Sequence, residues 1–176
     1  MCDTPRRCIQ GLHDGLTALS LENGPGDLEQ RYASLEPLIT ATHDLAYIAR
    51  FTVRRQWDGF TETERSAFLR AFKRLSVLTY ASRFVRLSED TFNIVESNDL
   101  GANRSRVVAS ISGTGDRREI PIEYVLQEGD AGWRIINIVA DGVSDLALKR
   151  AEYRRVLADG SVGDLLELLE SQIAAL

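Results

Sequence analysis

The sequence predicts an α+β fold in which a curved antiparallel sheet of about four strands packs against several helices. Three observations lead to this prediction. Apolar residues follow helical spacing over most of residues 4–86, the hydrophobic period changes to two between residues 90 and 140, and helical spacing returns after residue 144. Helices and strands that are segregated along the chain are typical of α+β domains. We expect the helices to lie on the concave side of the sheet.

Length and composition fit one globular domain. A chain of 176 residues is long enough to bury about 70% of the surface that its unfolded form exposes. The formal net charge of −5 argues against a nucleic-acid-binding face and against electrostatic adhesion to anionic lipid surfaces. No stretch approaches the roughly 20 apolar residues of a membrane span. We divide the chain into an N-terminal helix and linker, 1–26, and one α+β domain, 27–176.

The N-terminal half predicts four helices. Ile9, Leu12, Leu16 and Leu19 are spaced three, four and three residues apart, which predicts a helix over 4–21. Residues 23–26, Asn-Gly-Pro-Gly, form the clearest breaker in the chain. Asp27 with Gln30 then predicts an N-cap and its partner, and a further helix is predicted over 44–55.

The strongest helix prediction covers residues 61–86. Thr61 and Glu64 have the spacing of a capping box, in which each side chain bonds the other residue's backbone N–H. Its C-terminal half carries few charges, and apolar residues occur on more than one side. A helix of this kind is buried from more than one side.

The alternating region predicts strands around Phe92–Ile94, over 107–111, over 120–127 and over 133–140, joined by turns at 98–101, 113–116 and 128–132. The last strand, WRIINIVA, is apolar on both faces, with Ile135 and Val139 on one face and Ile136, Ile138 and Ala140 on the other. Two helices, 144–157 and 162–176, follow it.

The two cysteines, Cys2 and Cys8, lie close together near the start of the sequence. Three interpretations remain open: two incidental thiols, a local disulfide typical of an exported protein, or an acylated Cys2 left after removal of a signal peptide. The cysteines are too few for a zinc site, and the sequence predicts neither a metal nor a cofactor.

Recognisable catalytic motifs are absent from the sequence. Asp141, at the end of a strand, is a candidate general base in a hydrophobic cone, acting with a tyrosine or His43 as in an isomerase or dehydratase. Against this, Asp141-Gly142 is a common turn pair, and a structural role is favoured for both His13 and His43. Trp57 and Trp133 are also expected to serve packing.

The predicted sheet and the helix predicted over 61–86 carry more apolar surface than one packed face requires. This surplus has two interpretations. The apolar residues either fill a solid core or line an apolar cavity, and the residues alone favour the solid core.

Three segments resemble the toluene-tolerance, or MlaC, family of periplasmic lipid-binding proteins, over about residues 28–172. The first is the block Trp57, Thr61, Glu64, Arg65, Phe68 and Phe72, with Tyr80 after it. The second runs from Gly132-Trp133 to Gly142-Val143-Ser144, and the third from Tyr153 to Leu157 with Gly160. DLAYIAR, YASRF and LLELLES are most similar to the branch associated with hopanoid biosynthesis.

The resemblance implies a shuttle in a Gram-negative periplasm, with its signal peptide missing from this sequence. It implies a cavity that holds acyl chains of a phospholipid or hopanoid-type lipid, no catalytic residues, and transfer between an outer-membrane complex and an inner-membrane ABC transporter of the MCE type. The cysteines have no place in the family pattern. The hydrophobic-cone enzyme and a solid-core adaptor of a membrane complex remain the alternatives.

From face and spacing we predict ten lipid-contacting residues, of which the last two are at the mouth: Phe51, Phe68, Phe72, Leu75, Tyr80, Ile122, Tyr124, Ile138, Val143 and Leu146.

Overall fold

The computed structural model describes residues 2–23, 27–84, 90–113 and 119–176. Its helices are α1 (Pro5–Asn23), α2 (Leu28–Thr42), α3 (Leu45–Thr52), α4 (Glu62–Arg83), α5 (Asp145–Asp159) and α6 (Val162–Ala174), with a short 3-10 helix at Trp57–Gly59. Its strands are β1 (Asp90–Gly101), β2 (Arg104–Gly113), β3 (Ile120–Gly129), β4 (Gly132–Ala140) and β5 (Val143–Ser144). The α+β class is confirmed. The predicted breaker at 24–26, most of the turn at 113–116 and the last two residues of the helix predicted over 61–86 lie outside the described residues.

The strands form one antiparallel sheet in sequence order, β1-β2-β3-β4-β5. In β3 the predicted alternation is confirmed, because Ile122, Tyr124 and Leu126 are buried and their neighbours are not. The turn predicted at 98–101 is wrong: β1 continues to Gly101, with Asp99 opposite Ser105. The reversal falls one step later, where Gly101 and the next two residues have positive φ.

A bulge in β4 changes which side chains face the helices. Leu126 pairs with Ile135 and Val125 with Asn137, so Ile136 is an extra residue in the strand. Because Tyr124 and Leu126 point to the same face, their partners Ile138 and Ile135 do too. The predicted separation of Ile135 from Ile138 on opposite faces is therefore wrong, since a bulge interrupts the period of two.

Helices α1, α2 and α4 pack on the sheet and form the first hydrophobic cluster with it. The helix residues in this cluster are Cys8, Ile9, Leu12, Leu16, Leu35, Ile39, Val77 and Ala81. Helix α1 therefore contributes to the same core as β2, β3 and β4.

A second cluster lies among the helices themselves. It is formed by α3, α4, α5 and α6 with residues of the turn before α4, including Phe60, Phe68, Phe72, Tyr153, Leu165 and Leu169. Helix α4 contributes Phe68 and Phe72 to this cluster and Val77 and Ala81 to the first. The prediction that this helix is buried from more than one side is confirmed.

Side-chain caps fix where several helices begin. The predicted capping box of Thr61 and Glu64 is present at α4, and Ser161 with Asp164 forms another at α6. Ser144 caps α5 by accepting a bond from Ala147 N. Asp27 stands at the N-cap of α2 as predicted, but its side chain makes no capping bond there.

The N-terminal segment is joined to α1 by a disulfide and to the sheet by a hydrogen bond. Cys2 and Cys8 form a disulfide with Cα atoms 4.5 Å apart. Trp133 N donates to Cys2 O at 2.8 Å, so the segment before α1 contacts the start of β4. In the described part of the chain, no helix is both long and apolar enough to cross a bilayer.

Candidate functional site

An open cavity of about 180 Å³ lies between the sheet and the helices. Strands β3 and β4, helices α3, α4 and α5 and single residues of α1 and the α2–α3 junction supply its walls. Apolar side chains predominate in them: Leu16, Leu45, Ile48, Phe72, Tyr80, Phe84, Ile122, Tyr124, Ile136, Ile138, Ala140, Val143 and Leu146. The polar residues are His43, Ser76, Thr79, Arg83, Asn137, Asp145 and Lys149.

The small hydroxyls in the wall are bonded inside the protein. Ser76 Oγ donates to Phe72 O at 2.8 Å, and Thr79 Oγ1 donates to Leu75 O at 2.7 Å. Both bonds run to a carbonyl one helical turn earlier in α4. These side chains therefore present mainly their carbon atoms to the cavity.

His43 holds the hydroxyl of Tyr80. The junction of α2 and α3 is bonded to β4, because Asp44 N donates to Ile135 O at 2.9 Å, and this holds the buried His43 ring in the wall. His43 Nδ1 lies 3.2 Å from Ile39 O and Nε2 lies 2.9 Å from Tyr80 Oη. A carbonyl can only accept, so Nδ1 carries the proton and the Tyr80 hydroxyl donates to Nε2. Burial lowers the pKa of His43 to about 4 and raises that of Tyr80 well above its ordinary value.

His13 plays the same part for Tyr124. Its Nε2 lies 2.9 Å from Tyr124 Oη, and its ring stacks on Phe92 with centroids 4.1 Å apart. Burial lowers the pKa of His13 to about 4 and raises the pKa of Tyr124. Both tyrosines therefore offer a ring to the cavity and direct their hydroxyl to a neutral histidine.

The charged residues of the wall are Arg83, Asp145 and Lys149, of which Arg83 and Asp145 are exposed. Lys149 pairs with Asp145, one turn apart in α5, and Arg83, at the end of α4, makes no ion pair with any residue that the structure describes. Val143 and Leu148 are 50% and 58% exposed, so apolar side chains also reach solvent in this region.

Asn137 fixes the strand to the helix beside the mouth. Its Oδ1 accepts bonds from Ser144 Oγ at 3.1 Å and Leu146 N at 3.3 Å. The amide thereby joins β4 to the first turn of α5, and its polar atom is used within the wall.

Seven of the ten predicted lipid-contacting residues lie in the wall: Phe72, Tyr80, Ile122, Tyr124, Ile138, Val143 and Leu146. Phe68 and Leu75 lie instead in the cluster among the helices. Phe51, near the C-terminal end of α3, is half-buried and stacks with Tyr47 at 5.9 Å between centroids. These three do not line the cavity, and their lipid contact stays a prediction.

The sequence did not identify Ser76, Thr79 and Ile136 as wall residues. In α4 the residues that line the cavity are Phe72, Ser76, Thr79, Tyr80 and Arg83, whereas the lipid contacts predicted from this helix were Phe68, Phe72, Leu75 and Tyr80. A helical step of four from Phe72 reaches Ser76 and then Tyr80, and this spacing was the available signal.

The structure does not bring the three proposed catalytic residues together in the cavity wall. Asp141 lies in the turn between β4 and β5 with φ of +50° and is not among the wall residues. His43 and Tyr80 do meet, but they bond each other. Across the described ranges, no group of three or more His, Cys, Asp or Glu residues has the arrangement of a metal site.

Comparison with known proteins gives one family and one fold. The family model described as MlaC protein matches residues 16–171. The solved structure of a phospholipid-binding protein from Ralstonia solanacearum, in complex with a phospholipid, superposes with a TM-score of 0.84 at 16% identity and covers 96% of each chain. At that identity the likeness establishes the fold alone. None of the curated proteins matches this chain.

Proposed function

The chain belongs to the MlaC protein family, and on this premise we propose that it binds the acyl chains of a lipid in the cavity and carries them through water. The observation that carries the proposal is the open cavity of about 180 Å³ whose tyrosine, serine and threonine hydroxyls are bonded within the protein. Such a wall offers hydrocarbon to a hydrocarbon ligand. We propose that it performs binding without a chemical step.

A carrier needs this kind of wall for an energetic reason. Each CH₂ group removed from water contributes about 0.8 kcal/mol, and a bilayer offers the same gain. The protein therefore has only to match the bilayer, and a dry wall does so without specific polar contacts to the chains. The charged residues at the open side leave the head group in solvent or beside Arg83.

The size of the cavity bears on how a lipid enters. Typical ligand sites have volumes of roughly 300–1,000 Å³, and this cavity is smaller. We propose that the chains enlarge it by separating α5 from β3 and α4 at the mouth, where Val143 and Leu146 lie. A solid-core adaptor finds less support, since a water occupies about 30 Å³ of liquid and the cavity has room for several.

We propose the periplasm as the place of action, with an outer-membrane complex and an inner-membrane ABC transporter of the MCE type as partners. The Cys2–Cys8 disulfide supports an oxidising compartment, where such bonds persist. We propose phospholipid as cargo. The hopanoid-type lipid of the resembling branch is the alternative, and mass spectrometry of the extracted lipid decides between them.

The test is lipid retention by protein purified without detergent, measured by native mass spectrometry. Ile138→Trp places an indole in the cavity, since Ile138 is a wall residue, and we expect retention to fall roughly tenfold or more. Val139→Trp is the matched control. Val139 is the next residue of β4 and pairs with Glu123, so its side chain points away from the wall and retention should stay unchanged.

The proposal fails if wild-type protein is consistently empty and takes no fluorescent phospholipid from vesicles. Equal retention by the two tryptophan variants would instead remove this cavity as the binding place.

A further inference from the structure

Two arginines, one from the turn after α3 and one from α5, converge on one aromatic ring near the C-terminal end of α3. The guanidinium carbons of Arg54 and Arg150 lie 5.9 Å and 5.3 Å from the centroid of Phe51. Arg54 follows α3 and Arg150 belongs to α5, and both side chains are exposed. One guanidinium already provides the cation–π contact to a ring, and the second adds like charge beside the first.

A second ring nearby is surrounded in the same way. The guanidinium carbons of Arg50 and Arg65 each lie 5.4 Å from the centroid of Trp57. Arg65 also donates to Trp57 O and Asp58 O, at 3.1 Å each, so its role is partly structural. We define the arginine cluster as the four cations and the two rings: Arg50, Arg54, Arg65, Arg150, Phe51 and Trp57.

The charges of the arginine cluster have no carboxylate partners within the described ranges. Every ion pair found there involves other residues, and Arg55, next to Arg54, is exposed as well. The chain as a whole carries a charge of −5, so this positive face is a local reversal. Like charges brought together without counter-charges repel each other, and an acidic surface placed on them relieves the repulsion.

The arginine cluster lies on two helices that also contribute residues to the cavity wall. Ile48 lines the cavity and precedes Phe51 by one turn of α3. Lys149 lines it as well and is the residue before Arg150 in α5. A partner bound to the arginine cluster would therefore contact the helices that border the mouth.

We propose that the arginine cluster is a docking site for an acidic surface of a partner protein. Planar guanidinium groups held against rings are preorganised to receive carboxylates in pairs. An extended anionic membrane fits less well, because it also faces the acidic remainder of the chain, whereas a compact acidic patch does not. The inference takes its purpose from the proposed lipid transfer, while its geometry is independent of it.

The test measures binding of a fluorescein-labelled peptide of alternating Glu and Ser by fluorescence anisotropy at low salt. Its counterpart of alternating Gln and Ser serves as the neutral probe. We expect the wild type to bind only the acidic peptide, with affinity falling as salt rises. The variant Arg54→Glu/Arg150→Glu should bind it roughly tenfold more weakly or worse. Arg54→Gln/Arg150→Gln should show a smaller loss of affinity for the acidic peptide. This neutral variant replaces the charge-reversed one if the reversal unfolds the protein.

The matched control is Arg70→Glu/Arg155→Glu, which makes the same change of net charge at two exposed arginines outside the arginine cluster. Equal losses in the two reversed variants would show a bulk charge effect and overturn the inference. So would wild type that ignores the acidic peptide, or that binds phosphatidylglycerol-containing vesicles in its place. Lipid content measured on the same samples separates this result from the proposed function. A protein that contains no lipid but still binds the acidic peptide would contradict the proposed function and leave the docking site standing.

Discussion

At the scale of single residues, Tyr80 and Tyr124 determine the character of the cavity. The hydroxyl of each is hydrogen-bonded to a buried histidine, His43 or His13, and this bond occupies a polar group that would otherwise attract water. The histidines remain neutral because burial lowers the pKa of each to about 4. The two tyrosine–histidine pairs thus leave mainly apolar ring atoms at the cavity surface.

The same histidines predict how stability depends on pH. Their folded pKa of about 4 lies below the ordinary value of 6.5, so the unfolded chain binds more protons in between, and stability falls as pH falls through that interval. One pKa unit corresponds to ~1.4 kcal/mol, and we expect a loss of several kcal/mol between pH 6.5 and pH 4. Urea unfolding at a series of pH values measures it.

The exposed carboxyls with lowered pKa, such as Glu36 and Asp164, act in a different interval. Their stabilising charge is lost only as pH falls below their ordinary values of 4.5 and 3.8. A free energy of unfolding that stays constant from pH 7 to pH 5 would contradict the histidine assignment. NMR titration of the two imidazoles supplies the direct check.

Sequence alone could identify the rings of the wall but not the use of their hydroxyls. Tyr80 and Tyr124 stood out as apolar residues with a polar tip, whereas His13 and His43 are separated from them by 111 and 37 residues. A contact over such a separation leaves no local pattern. The position of Phe51 was missed for a related reason. The guanidinium groups of Arg54 and Arg150 lie over its ring, and the contact with Arg150 depends on how α5 packs against α3.

At the scale of elements, start signals were predictable and strand register was not. Thr61 and Glu64 carry the whole capping box of α4 within four residues. The bulge at Ile136 arises from pairing between β3 and β4, and WRIINIVA contains neither glycine nor proline to mark it. The end of β1 was misplaced because Asn98 and Asp99, typical turn residues, pair with β2 instead.

The cap of α4 gives a prediction for this scale. Thr61→Ala removes the acceptor for Glu64 N and should lower the free energy of unfolding by about 1 kcal/mol. Thr63→Ala is the matched control, because Thr63 is exposed within the first turn and alanine favours a helix interior. Urea unfolding compares the two variants. Equal free energies of unfolding would show that the capping box does not stabilise the protein.

At the scale of the whole molecule, the Cys2–Cys8 disulfide ties the start of the chain to the fold. The bond closes a short loop, with a sequence separation of six, and by the chain-entropy relation its loss should destabilise the protein by about 2 kcal/mol. Urea unfolding with and without reductant measures this. Cys2→Ser/Cys8→Ser should match the reduced protein and be indifferent to reductant. If the free energy of unfolding is unchanged after thiol titration shows that both cysteines are reduced, the N-terminal segment is held by the Trp133 N hydrogen bond and the packing of α1 alone.

The inward-bonded hydroxyls of the wall also bear on what happens between two deliveries. A polar pocket that loses its guest must refill with ordered solvent, and the next guest must expel it. Here Ser76, Thr79, Tyr80 and Tyr124 already have partners within the protein, so in the proposed carrier these hydroxyls would hold fewer ordered waters for a new lipid to displace.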